Sequence, residues 1–470
     1  MATAKSNSST SVAACNQAAH SLQSHFENQV RRLPNKLTKL VIGFSGGLDS
    51  TVLLNLCHQN AIALQAFSIK VVHVDHGQSE KAARWGEFCR ELCQSYGFEF
   101  VLAKVQVNNM ARHSLEALLR DARYQQLALH VDQHTALLTG HHCDDQLETF
   151  VLNLKRGSGV LGLASMPELR VFSEGVLFRP LLEINRSQLE AYAQTQNLAW
   201  VEDESNTDQA FDRNYIRHTL SPLLLARWPG FQKSLTRSTQ LLQESQGLLD
   251  ELAQQDLLEL TKRGKRQDAL EIKPLLQLSV ARRNNVLRYW LHRKGLSPSH
   301  ALLAQLWKQI AAKADAKLSL DIGNHALKRY NEHLYLYQLD SFEPQNLDLE
   351  PADFAQSSEI VFGKQCLSWK DGGHLRKPSS DLKVQIKFRA DFENPSMRIA
   401  GRAGSRSLKK LLQEFGVAPW LRAQLPLLCY DNEIVAIADL AVCEGWYIKQ
   451  PTGLALYLNV CDHTYVDPPR

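Results

Sequence analysis

No run of about eighteen apolar residues occurs in the 470-residue chain, and this lack excludes a membrane-spanning helix. No Cys-x-x-Cys pair occurs either, and the nine cysteines are scattered and odd in number. Because a chain of this length does not need disulfides to hold a core, this cysteine usage predicts a reduced, cytoplasmic protein. The polar first sixteen residues lack the apolar stretch of a secretory signal, so we interpret residues 1–33 as an N-terminal tail and helix.

The net charge is only +4, too small to indicate a nucleic-acid partner by itself. The basic residues are unevenly distributed, however, and three basic stretches lie in the latter half of the chain, at residues 262–266, 282–293 and 398–410. One short basic run is usually a solvated face. Three of them together make a phosphate-rich partner plausible.

The chain is too long for one ordinary core, and its patterns change along its length. Short β-branched runs alternate with helical periodicity over residues 34–222, which predicts an α/β fold with a doubly wound parallel sheet. Leucines at helical spacing predict a helical middle domain at 223–338. A connector at 339–382 and a small α+β domain at 383–470 complete the predicted organisation. In a parallel sheet of this kind, ligands bind at the carboxyl ends of the strands.

The strongest local signal lies between the first predicted strand and helix, and its six residues are Ser45, Gly46, Gly47, Leu48, Asp49 and Ser50. Two glycines allow the backbone to approach an anion closely, and the helix N-terminus behind them supplies free N–H groups. The segment is not a Walker A loop, because no Gly-Lys-Ser/Thr follows. The pattern therefore predicts a phosphate-binding loop of another type.

This segment resembles the pyrophosphate-binding (PP) loop of the N-type ATP pyrophosphatases, which adenylate a substrate oxygen and release pyrophosphate. Further segments, in the same order along the chain, are similar to those of one family in that group, the tRNA(Ile)-lysidine synthetases. They are Glu116 with Arg120, Arg123 and Tyr124; residues 140–149; Arg156-Gly157-Ser158-Gly159; Arg179-Pro180-Leu181-Leu182; residues 200–206; Arg213-Asn214 with Arg217; and, near the C-terminus, residues 408–446. Three positions depart from the family pattern, namely Asp75, Gln78 and Leu119.

The resemblance implies a reaction in two steps that consumes ATP with Mg²⁺. The wobble cytidine of tRNA(Ile) with anticodon CAU is first adenylated, and the ε-amine of free L-lysine then displaces AMP to give lysidine. It also implies roles for individual residues. Residues 45–50 would bind ATP. The catalytic residues would be Asp49, Arg120 and Arg156, and Asp49 would also hold the metal. Asp145 and Glu148, three residues apart and hence on one helix face, would receive the ammonium groups of lysine.

The predicted RNA contacts are Arg213, Arg217, Lys409 and Lys410, although the first two could instead brace the domain. Trp420, beside basic residues, could stack on a base, but a buried anchor is the commoner fate of a tryptophan. His141 and His142 are predicted to cap the end of a strand. A homodimer is one oligomeric state that the sequence allows.

Two other enzymes and one binding protein remain alternatives. A tRNA thiolase would use the same adenylation but needs reactive cysteines, for which Cys143 is the one candidate beside the acidic pair. A metal-dependent phosphoesterase could gather His73, Asp75 and His76 with His141 to Asp145 around two metal ions. A tRNA-binding module without catalysis would not be expected to keep both the loop and the acidic pair.

Overall fold

The computed structural model describes residues 7–77, 82–105, 115–202, 208–261, 269–311, 318–339, 346–350, 354, 358–362 and 365–460. The chain divides into two compact units, the first ending at Leu248 and the second beginning at Leu249. Across the described ranges, no helix is both long enough and apolar enough to cross a membrane.

A six-stranded sheet forms the centre of the first unit, in the order β3-β2-β1-β4-β6-β5. Its strands are β1 (Lys39–Gly43), β2 (Ser68–Asp75), β3 (Glu99–Lys104), β4 (Thr135–Leu138), β5 (Leu169–Phe172) and β6 (Gly175–Phe178). All neighbouring pairs are parallel except β5–β6, which is antiparallel. The predicted parallel sheet is thus confirmed, with one antiparallel edge strand.

Helices cover both faces of this sheet. They are α1 (Asn7–Val30), α2 (Leu48–Gln59), α3 (Ala82–Ser95), α4 (Leu115–Ala128), α5 (Cys143–Lys155), α6 (Val160–Leu163), α7 (Arg186–Thr195), α8 (Asp212–Tyr215), α9 (Ser221–Arg227) and the first part of α10 (Phe231–Thr261). Strand β1 shows the alternation that such a sheet requires. Leu40 and Ile42 pack into the core that includes α1, α2 and α7, whereas Val41 packs on the other face with Leu127 of α4.

The strand order places a topological switch point between β1 and β4. From β1 the chain crosses to β2 and β3 on one side, and β4 then returns to the other side of β1. The loops that leave β1 and β4 therefore diverge and open a crevice at the carboxyl ends of these strands. Both loops lead directly into helices, α2 and α5, whose N-termini face that end of the sheet.

The region predicted to be helical, residues 223–338, also contains a sheet. Besides α11 (Ile272–Gln277), α12 (Val280–His292) and α13 (His300–Ala311) it has β7 (Ala269–Glu271), β8 (Ser319–Ile322), β9 (His325–Tyr330) and β10 (His333–Gln338). The four strands are antiparallel, in the order β7-β10-β9-β8. These strands have three to six residues and carry polar side chains on one face, so their apolar pattern is too short to be seen beside the leucine-rich helices.

The last region is a small α+β assembly, as predicted. It has β11 (Leu347–Leu349), β12 (Glu359–Phe362), β13 (Gln365–Gly373), β14 (Val384–Lys387), β15 (Ser396–Met397), β16 (Arg406–Ser407), β17 (Leu427–Tyr430), β18 (Glu433–Ile437), β19 (Ala441–Val442), β20 (Gly453–Val460) and the helix α14 (Leu408–Glu414). Strands of the predicted connector take part in it, since β11 pairs with β14 and β13 with β20.

Candidate active site

The glycine-rich loop joins β1 to α2 at the switch point. Gly46 has a φ of +82°, and a Cβ atom there would lie 2.9 Å from Sγ of Cys89, so only glycine fits. The hydroxyl of Ser50 donates to the carbonyl of Gly47 at 3.0 Å and lies 3.0 Å from the hydroxyl of Ser45. From a distant part of the chain, the backbone N–H of Val201 donates to the carbonyl of Gly46 at 2.9 Å. The loop is therefore held in shape by contacts at both glycines.

Three side chains meet where the first turns of α2 and α5 approach each other. Nε2 of His142, which caps α5 and is fully buried, lies 3.5 Å from Oδ2 of Asp49 and 3.5 Å from Oδ2 of Asp145. The backbone N–H of His142 also donates to Oδ2 of Asp145 at 3.0 Å. Oδ1 of Asp49 is buried and has no hydrogen-bond partner among the described residues. The structure thus brings Asp49 and Asp145 together around one histidine.

The second predicted carboxylate of the pair is already neutralised. Glu148 is 1% exposed, and its two oxygens accept from Arg217 at 2.6 Å and 3.1 Å. Arg213 lies 3.0 Å from the same carboxylate. Arg213 lies just before the π-helical turn at 216–220, and Arg217 lies within it. Both arginines contact Glu148, as expected if they brace the domain, the alternative that the sequence left open.

Burial and charge act in opposite directions on these groups. Desolvation and the charge of Asp145 raise the pKa of Glu148, although Arg217 opposes them. Burial opposes protonation of His142, but the charges of Asp145 and Asp49 prevail and raise its pKa to about 9. Burial also lowers the pKa of His141 to about 3. The surroundings therefore shift the pKa values of the two neighbouring histidines in opposite directions.

Positive charge gathers on the β4 and β6 side of the crevice. Arg120 of α4 stacks on the ring of Tyr124, with 5.3 Å between its Cζ atom and the ring centroid. Arg179, 2% exposed, donates from Nη1 to the carbonyl of Pro167 at 2.7 Å, and burial lowers its pKa to about 10. Arg120 and Arg179 also lower the pKa of His141 through their charges. Arginines held in this way suit the oxygens of a phosphate.

Three predicted residues lie elsewhere. Arg156 is exposed at the C-terminal end of α5, roughly 16 Å along the helix axis from Asp145. Lys409 and Lys410 are exposed in the first turn of α14, in the second unit. Asp203, Ser205 and Asn206 of the predicted 200–206 segment, as well as the basic residues at 262–266, lie outside the described residues.

A cavity of about 470 Å³ adjoins Glu148. Its lining includes Asp144, Arg186, Arg217, Ser221 and Gln232. Arg186 was not foreseen from the sequence, yet its Nη1 lies 3.8 Å from Oδ2 of Asp49. No sequence motif around Arg186 indicates this role, because Arg186 is the first residue of α7 and reaches Asp49 only through the packing of α7 on α2.

The side chains that the alternative enzymes would need are used in packing. Cys143 is buried beside the hydroxyl of Thr236, and burial raises the pKa of its thiol. Nδ1 of His73 lies 2.8 Å from the carbonyl of Phe44, at the core of the sheet. Within the described ranges, no group of three or more histidine, cysteine or acidic side chains is arranged to hold a metal ion.

Sequence models of three domain families match the chain. The PP-loop domain matches residues 18–224, the TilS substrate binding domain residues 270–335, and the TilS substrate C-terminal domain residues 384–458. The first match contains the loop, the acidic pair and the arginines described above.

Curated relatives are similar over most of their length. The tRNA(Ile)-lysidine synthase of Proteus mirabilis is 37% identical over 424 residues, which cover 88% of this chain and 94% of the relative. The tRNA(Ile)-lysidine synthase of Photorhabdus laumondii is 40% identical over 414 residues, covering 86% and 90%. Among solved structures, the U34-tRNA thiolase NcsA from Methanococcus maripaludis with its [4Fe-4S] cluster is 17% identical, covers 48% of this chain and 80% of its own, and has a TM-score of 0.41.

Proposed function

Because the chain belongs to the tRNA(Ile)-lysidine synthase family, we propose that it joins free L-lysine to the wobble cytidine of tRNA(Ile) with anticodon CAU. The 2-carbonyl oxygen of the cytidine attacks the α-phosphorus of ATP, and pyrophosphate leaves. The ε-amine of lysine then attacks carbon 2, and AMP leaves with the former carbonyl oxygen. One observation carries this proposal at the site, namely the meeting of the phosphate-type loop and Asp145 at the switch point.

In the first step, the loop and the N-terminus of α2 would stabilise the negative charge of the departing pyrophosphate. Backbone N–H groups fixed in this position stabilise developing negative charge without having to reorganise. Arg120, with Arg179 behind it, would offset charge at the α-phosphate. Arg156 lies at the far end of α5, away from Asp145, and its catalytic role stays a prediction.

Asp49 is the residue that would hold Mg²⁺. Its buried Oδ1 has no partner in the described part of the chain, and Mg²⁺ in nucleotide sites commonly takes one or two carboxylates together with phosphate oxygens and water. When bound, the ion would neutralise charge on the phosphates.

For the second step, Asp145 and Glu148 remain the proposed receivers of the lysine ammonium groups. Both oxygens of Glu148 already accept hydrogen bonds from Arg217, and Glu148 is 1% exposed against 14% for Asp145, so Asp145 is the more accessible receiver. The adjoining cavity of about 470 Å³ has room for a free amino acid and offers Arg186 for a carboxylate and Asp144 for an amine.

The proposed RNA contacts of Arg213 and Arg217 are secondary to their contacts with Glu148. Lys409 and Lys410, both exposed, are the proposed contacts of the C-terminal part. A cytoplasmic location is proposed as well, since the described part of the chain holds seven free cysteines and all seven are buried thiols.

The test is incorporation of radiolabelled lysine into a tRNA(Ile) transcript in the presence of ATP and Mg²⁺. Wild type should incorporate lysine in an ATP-dependent manner, and Asp49→Ala should lower the rate at least a hundredfold, because it removes the metal ligand and a carboxylate of the crevice. Asp371→Ala, a change at an exposed carboxylate outside the PP-loop domain, should match wild type. A folded wild-type protein that incorporates no lysine would contradict the proposal and make the thiolase the next candidate.

A further inference from the structure

One side chain bridges the two halves of the crevice. The imidazole of His142 is fully buried, and Nε2 is equally distant, at 3.5 Å, from Asp49 of the loop and from Asp145 of α5. Arg186, which is partly exposed, also approaches Asp49, at 3.8 Å. Asp145 also accepts hydrogen bonds from the backbone N–H of His142 and from Arg217.

Nε2 carries a proton in either charge state of the ring. In the imidazolium both nitrogens are protonated. In the neutral ring, Nδ1 accepts a hydrogen bond from the backbone N–H of Asp144 at 3.3 Å, which leaves the proton on Nε2. A protonated nitrogen therefore lies 3.5 Å from each of two carboxylates, without a formed hydrogen bond to either, and its position offsets like charges that would otherwise repel each other at close range.

The backbone brings the same two loops into contact at Gly140, two residues before His142. A Cβ atom on Gly140 would lie 2.8 Å from the carbonyl oxygen of Asp49, so the chain after β4 touches the first turn of α2 directly. The N-termini of α2 and α5 are thus joined twice, once through backbone contact and once through His142. Gly140 allows the two backbones to approach closely, and His142 lies between the two carboxylates.

We propose that His142 is a positioning residue that ties the carboxylate of the ATP loop to the carboxylate facing the amine. This inference rests on the proposed function, which assigns Asp49 to the nucleotide and Asp145 to lysine. The link keeps the adenylated base and the attacking amine at one fixed separation. This separation matters because a misplacement of about 1 Å can lower the rate about a hundredfold.

Two substitutions separate this link from the capping of α5. In His142→Gln, the side-chain amide nitrogen can reach the place of Nε2 and donate between the carboxylates, but the shape of the cap is lost. In His142→Asn, the shorter side chain keeps a good N-cap but cannot reach Asp49 and Asp145. The measurements are kcat and KM for lysine incorporation, KM for ATP, and the melting temperature of each full-length variant.

We expect His142→Gln to stay within about fivefold of wild type in kcat/KM for lysine, and His142→Asn to fall by about 10- to 100-fold. The melting temperature of His142→Asn should stay close to that of wild type, and loss of activity without loss of stability is a combination that a purely structural role would not produce. The reverse ranking would overturn the inference in favour of a cap, and equal activities of the two variants, whether high or low, would also overturn it. If wild type incorporates no lysine, the proposed function fails, and the ranking of the two variants is then read from tRNA-dependent release of pyrophosphate, with Asp49→Ala as the negative control.

Discussion

At the scale of single residues, buried charge dominates the first unit. Glu148 is almost inaccessible, and burial raises its pKa, yet it lies in an ion pair with arginines that are themselves about one-fifth to one-quarter exposed. Taking a carboxylate out of water is costly unless cations and donors replace the water. Arg213 and Arg217 supply that replacement.

Glu148→Gln should therefore lower the free energy of unfolding by about 3 kcal/mol, because Arg217 loses the charge of its buried partner. Glu27→Gln is the matched control, since Glu27 pairs with Arg31 on the surface of α1 and should contribute less than about 0.5 kcal/mol. Chemical denaturation of both variants measures the difference. Equal losses would mean that the Glu148 pair is no stronger than a surface pair.

At the scale of elements, the crevice depends on how closely β4's loop approaches α2. Gly140 is required there by space, because backbone atoms of Asp49 occupy the position of a side chain. Gly159, which caps α6, has an ordinary negative φ and no atom within 4 Å of the position of a Cβ.

Gly140→Ala should separate the two loops, lower the free energy of unfolding by about 1–3 kcal/mol and reduce ATP-dependent pyrophosphate release at least tenfold. Gly159→Ala should change stability by no more than about 0.5 kcal/mol. Chemical denaturation measures the change in stability of the two variants, and a coupled pyrophosphate assay measures their activity. Full activity of Gly140→Ala would show that the contact is not needed.

At the scale of the whole molecule, the second unit joins two segments that the sequence analysis treated as separate. Trp420, which follows α14, packs edge-on against Tyr330, Tyr335 and Tyr337 of β9 and β10, with centroid distances of 5.8–6.4 Å. The ammonium group of Lys328 lies 5.2 Å from the Trp420 ring. Trp420 is partly buried, and these contacts favour the anchoring role over base stacking.

Trp420→Ala should lower the free energy of unfolding by about 3 kcal/mol, since it leaves three aromatic neighbours without their common contact. Tyr457→Ala, at a side chain about half exposed, should cost much less. Thermal and chemical denaturation decide between them. A loss of tRNA affinity at unchanged stability would instead favour a base-stacking role for Trp420.

Lys409→Ala combined with Lys410→Ala should weaken tRNA binding and flatten its dependence on salt by about one unit of slope for each lysine that contacts a phosphate. Lys383→Ala is the control, because Lys383 is paired with Asp348 at 2.7 Å. Binding isotherms at several salt concentrations give the slope. An unchanged slope would exclude these lysines from the RNA interface.

Signals that are local in the chain determined the family and the sheet. A strand, two glycines and a helix start lie within a dozen residues, so residues 39–59 specify a phosphate loop without help from the rest of the molecule. The same holds for the acidic pair on α5. The short strands of the middle region escaped notice because three to six residues give too little periodicity.

Only the tertiary structure decided how these parts meet. Arg217 reaches Glu148 across 69 positions of the chain, and the sequence left open whether it would bind RNA or brace the domain. The place of His142 between Asp49 and Asp145 follows from the order of β1 and β4, which no local pattern encodes. Local patterns set the conformation of each loop and helix, whereas distances between charges depend on which strands become neighbours when the core is buried.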